Sequence, residues 1–152
     1  METKNKSREA ELYEEIYKNA RMGAESTVDM MKNLADGELK TELGRELSEY
    51  QSLATKAKHA LLDMGEEPKE ENFLSRMAAK MGVKVNTMMD STPSHIAEMV
   101  IKGCAMGTSD LMKKINDCKN CDDCDALKKA RDLAEQTVAF EEDCAERMKA
   151  YL

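Results

Sequence analysis

The chain has 152 residues, with 23 Lys plus Arg against 30 Asp plus Glu, a formal charge of −7 at neutral pH. That is one domain's worth of chain, long enough to bury a core without a disulfide or metal staple, and its acidic balance disfavours a nucleic-acid partner, whose phosphates need clustered Lys and Arg. Only 4% of residues are aromatic, with no Trp, 2 Pro and 7 Gly, which argues against the many short strands and turns of a sandwich or barrel.

Helical periodicity divides the chain into five segments. Ser7 is placed to cap a first helix with Glu9 and Glu11 in its opening turn; residues 1–6 are expected to fray. Leu12, Ile16, Ala20, Gly23, Thr27, Met31 and Leu34 recur at helical spacing, and Gly37 is expected to end this helix. A second helix carries Leu39, Leu43, Leu47, Tyr50, Ala54, Ala57 and Leu61, and stops at Gly65 with Pro68 beyond. The short turn between them predicts antiparallel packing. Phe73, Met77, Met81, Val85 and Met88 predict a shorter amphipathic helix within a connection running from about residue 66 to 92. Thr92 and Pro93 open a fourth helix carrying Ile96, Met99, Val100, Gly103, Gly107, Leu111 and Ile115. After a loop over residues 118–125, the last helix carries Leu127, Ala130, Leu133, Thr137, Val138, Cys144, Ala145, Met148 and Tyr151.

Long, long, short, long, long predicts an all-α single domain over residues 1–152. Its architecture is a four-helix bundle of two antiparallel hairpins joined by a long crossover that holds the short fifth helix. No stretch reaches the roughly 20 apolar residues of a membrane span; the most apolar, Ile96 to Met106, is broken by Glu98 and Lys102. The first residues have no apolar segment behind their lysines, so the expectation is a cytoplasmic protein without membrane partners. Five Cys, an odd number, then read as free thiols or metal ligands before a disulfide framework.

With Tyr17-Lys18-Asn19-Ala20-Arg21-Met22-Gly23 in the first helix, His95-Ile96-Ala97-Glu98-Met99, Gly103 and Met106-Gly107 in the fourth, and Phe140-Glu141-Glu142 in the last, the chain resembles the ferritin-like superfamily. The likeness is to its small bacterial bundles of unknown function. The resemblance implies a bundle interior in which two helices each supply a Glu and the other two each supply a Glu-x-x-His. This chain departs from that pattern. Its two histidines, His59 and His95, follow Lys56 and Thr92 at the three-residue spacing, so the di-iron motif is degenerate and a di-iron cofactor is not expected.

Rotating about 100° per residue places the carboxylates. Glu25 and Asp29 lie away from the first stripe, Glu46 flanks the second, and Glu49 is farther round. Asp110 falls toward one edge of the fourth helix's core face. Glu141 sits near the centre of the last helix's apolar face, with Cys144 where the family's His would stand. Asp110 and Glu141 are therefore either hydrogen-bonded polar residues of a bundle interior or the remnant of a core metal site.

Cys118, Cys121 and Cys124 share a loop at a spacing that lets thiolates converge on Zn or another soft metal. A fourth ligand is missing, and Cys144 lies too far along its helix to supply it. Ordinary reduced cysteines and a dithiol are the alternatives. The 13 Met read first as core filler, though Met77, Met81, Met88 and Met89 leave a soft-metal or homo-oligomer contact open. The expected function is a non-oxidase bundle acting through binding or assembly. The alternative is a metal-handling or redox protein using the cysteine loop or a carboxylate site at Asp110 and Glu141.

Overall fold

The structure, a computed structural model, describes residues 7–70, 72, 73, 75, 79, 91–119 and 124–152. Four long helices account for nearly all of them: α1 (Arg8–Met31), α2 (Glu38–Asp63), α3 (Pro93–Asp117) and α4 (Asp125–Met148), the last finished by a 3-10 turn, Lys149–Tyr151. No strand occurs among the described residues, and none of their helices is long and apolar enough to cross a membrane. Of the fifth helix expected within residues 66–92, Phe73, Ser75 and Ala79 have helical backbone, whereas Met77, Met81, Met88 and Met89, like residues 1–6 where fraying is expected, lie outside the described residues.

The helix ends follow from local chemistry. The Ser7 hydroxyl accepts a bond from Ala10 N (3.2 Å) and opens α1, and the Thr92 hydroxyl does the same for His95 N (3.4 Å) ahead of Pro93, each satisfying a backbone donor that has no partner inside the helix. Gly65 closes α2 at φ +75°. Its N–H bonds Leu62 O (3.0 Å) and that of Glu66 bonds Leu61 O (2.9 Å), the paired closure that only a left-handed residue permits without strain. Gly37 departs from expectation: α1 stops at Met31, and Gly37 instead precedes α2, its carbonyl accepting from Thr41 N (3.1 Å). Leu34, in the connection, stays buried.

Side-chain neighbours set the helix directions. Gly23 faces Tyr50 while Met31 faces Gly44, so α1 and α2 run antiparallel. Two apolar clusters fill the interior. One gathers Leu12 and Ile16 of α1 with Leu53 and Leu61 of α2, Leu111 and Ile115 of α3, and Leu127 and Ala130 of α4. The other gathers Met30, Leu39 and Leu43, Ile96 and Val100, and Cys144 and Met148. The start of α1 thus meets the end of α2, the end of α3 and the start of α4, which makes α1 and α4 parallel to each other and antiparallel to α2 and α3. The end of α2 and the start of α3 lie at opposite ends of the bundle. Phe73, buried, sets its ring edge-on to Tyr17 at 6.2 Å, and Glu70 accepts from the Tyr17 hydroxyl (2.5 Å).

Candidate functional site

Between the two apolar clusters lies a belt of buried polar groups. Glu141 of α4 is its centre, 1% exposed. Asn19 Nδ2 of α1 donates to its Oε1 (2.8 Å), and the Tyr50 hydroxyl of α2 donates to its Oε2 (3.0 Å). Asn19 Nδ2 also donates to the Gly107 carbonyl of α3 (3.1 Å), so one side chain and its two partners join all four helices. Burial pushes the Glu141 carboxyl up to about 8, against the two hydrogen bonds, which favour its ionised form; Asp110 adds to the rise. Desolvation wins because no cation answers the charge.

Glycine makes the belt possible at two points. A Cβ on Gly107 would sit 2.6 Å from Glu141 Oε2 and 2.8 Å from Asn19 Oδ1, inside contact distance. A Cβ on Gly23 would overlap the Tyr50 ring. That ring, edge-on to Phe140 at 4.9 Å, is therefore held between two helices with its hydroxyl aimed at Glu141.

Glu46 of α2, one turn before Tyr50, is the second buried carboxyl, also 1% exposed. Its Oε1 has no hydrogen-bond partner among the described residues. Burial lifts the carboxyl to about 7, against the opposing pull of the neighbouring Cys144 thiol and Arg147. Cys104, 3.9 Å from the Tyr50 hydroxyl, and Cys144 are both buried thiols whose ionisation burial pushes well above the ordinary range. They are protonated at neutral pH.

A cavity of about 50 Å³ runs into this belt between α1 and α3. Buried Glu46, Tyr50, Cys104 and Glu141 form its floor, Met22, Met30, Met99 and Val100 its walls, and the partly exposed Glu15, Lys18 and Asp110 its mouth. The structure thus brings Asp110 and Glu141 to one cavity.

The cysteine loop is more dispersed. Cys118 is buried in the apolar cluster at its end of the bundle, 3% exposed. Cys124 is exposed, and its Sγ caps α4 by accepting from Leu127 N (3.4 Å). Cys121 lies outside the described residues. The loop's first thiol is therefore part of the packed bundle. Among the described residues no group of three or more His, Cys, Asp or Glu side chains is arranged to hold a metal ion. His59 is exposed, and neither histidine lines the cavity.

Sequence reasoning missed two members of the belt and underrated a third. Asn19 occupies the stripe position between Ile16 and Met22, an amide where the periodicity calls for an apolar residue, and that was the signal. Tyr50 looked like core. Glu46 looked like a flank, but α4 covers that flank. No family model matches the chain, and neither a curated protein nor a solved structure is significantly similar to it.

Proposed function

We propose that the chain is a ferritin-like bundle that lacks di-iron oxidase activity and works by binding a small ligand in the slot between α1 and α3. The observation that carries this reading is the slot itself: it leads from partly exposed residues to two buried carboxyls, one of them with an oxygen left unpartnered. A bundle held only by packing has no need of such a feature, since a buried polar atom without a partner costs stability.

The helix order and directions support the ferritin-like part of the reading. The donor set does not fit a pair of irons. Both oxygens of Glu141 are engaged by protein donors, and the position three residues later holds a buried thiol, Cys144, in place of an imidazole. Purified protein should therefore oxidise ferrous iron no faster than buffer. Stoichiometric oxidation of two irons per chain would refute the non-oxidase reading.

A further inference from the structure

We infer that the slot between α1 and α3 receives a small primary ammonium group, with Glu46 Oε1 as its anchor and Glu141 beside it. This rests on the binding reading above and names the chemistry of the occupant.

The inference follows from which hydrogen-bonding capacity at the floor is spent and which is left. Both amide hydrogens of Asn19 are committed, one to Gly107 O and one to Glu141 Oε1. The Tyr50 hydroxyl hydrogen is committed to Glu141 Oε2. With Glu46 ionised an acceptor remains, its Oε1, which no described residue bonds. An occupant must therefore bring hydrogens rather than lone pairs, which excludes carboxylates and phosphates and favours an N–H or O–H group.

Charge separates those two. Burial raises Glu46 to about 7 and Glu141 to about 8, so the floor turns anionic as pH rises through neutrality, Glu46 first. Asp110 and Glu15 are acidic residues at the mouth, and among the described residues the cation lining the cavity, Lys18, is paired with Glu15 at 3.2 Å. Arg147, outside the cavity, is shared among Asp143 (3.3 Å), Glu42 (3.7 Å) and the Cys144 sulfur (3.7 Å). A positive donor gains attraction that a neutral one does not, more so where water is excluded. Size and wall chemistry limit the rest of the molecule. The volume of about 50 Å³ admits a few heavy atoms, since one water position takes about 10–15 Å³ on this measure. Met22, Met30, Met99 and Val100 offer apolar contact to a short alkyl chain.

The test is thermal unfolding and titration calorimetry on the full chain at about pH 8.5, where Glu46 is ionised and a primary ammonium keeps its proton, at constant ionic strength and with ethylammonium chloride as probe. Tetramethylammonium (a cation with no N–H), ethanol (a neutral donor) and Mn²⁺ are the comparisons. Ethylammonium is expected to raise Tm saturably, with little or no shift from tetramethylammonium. In Glu46→Gln, whose amide places its own hydrogens in the slot, ethylammonium should bind at least tenfold more weakly; in Glu49→Gln, outside the slot, it should bind as in wild type. Equal shifts from ethylammonium and tetramethylammonium in wild type would overturn the inference without needing any variant to fold, as would undiminished binding in Glu46→Gln. Saturable binding of ethanol or Mn²⁺ in place of ethylammonium would overturn the ammonium assignment and leave the binding reading standing. If no probe binds, both fall, and the slot holds water alone.

Discussion

The apolar end of the bundle and its polar belt are built from the same four helices and obey opposite rules. At the end, Leu12, Ile16, Leu53, Leu61 and Leu111 are buried among one another, and each contributes in proportion to the apolar area it removes from water. In the belt, Glu141 and Glu46 are as deeply buried, but their burial is costly and only specific partners offset it. The difference teaches where the molecule is replaceable. Apolar residues at the end tolerate loss of volume poorly and apolar exchange at equal volume well, whereas belt residues owe their places to hydrogen-bond geometry.

The sharpest test of that contrast comes from truncating the end. Leu53→Ala leaves a void in a close-packed cluster and should cost about 2–5 kcal/mol by urea denaturation, with the m-value unchanged. Glu141→Leu should cost less, at most about 1–3 kcal/mol, because the desolvation penalty disappears together with the bonds to Asn19 and Tyr50. If Glu141→Leu proved the more damaging of the two, the belt would be the structural keystone and the contrast would be wrong.

A smaller effect concerns pH. The folded-state value of Glu141, about 8, lies above the usual 4.5, so the native state holds its proton where the unfolded chain has lost it. Its contribution to stability is then fully present below about pH 4.5 and declines as pH rises toward 8, at up to about 1.4 kcal/mol per pH unit. Tyr50, Asn19, Cys104 and Asp110 face it from the other three helices, and none is a cation that reverses the sign. Between pH 5 and 8 the stability of Glu141→Gln should fall less steeply than that of wild type. Parallel curves would show that the carboxyl titrates normally.

The helix boundaries were legible where a residue type has one job: Ser7 and Thr92 as caps, Pro93 as a start, Gly65 as a stop. Gly37 was misread because glycine is admitted on both sides of a helix gap, and which side it serves depends on where the preceding helix gives out. Glu141 was legible as an inward carboxylate by rotation alone, and with it the need for polar partners. Their identities were not, since Asn19 is 122 residues away and Tyr50 is 91. Glu46 shows the limit of a helical wheel. It assigns a face, but cover at the edge of that face comes from a neighbouring helix, here α4 with Cys144. The burial of Cys118 was hidden in the same way, because a regular cysteine spacing says nothing of which thiol the last turn of α3 directs inward.

Those sequence separations also bear on the order in which the chain assembles. During synthesis α1 and α2 emerge together and can associate as a local pair, with Asn19 and Tyr50 already turned toward a centre that does not yet exist. Their donors must stay hydrated until α4 leaves the ribosome and carries Glu141 to them. Contacts of such long range are the slow ones to close. Until α4 is available the pair of α1 and α2 cannot complete the belt, because Glu141 is the acceptor that Asn19 and Tyr50 share.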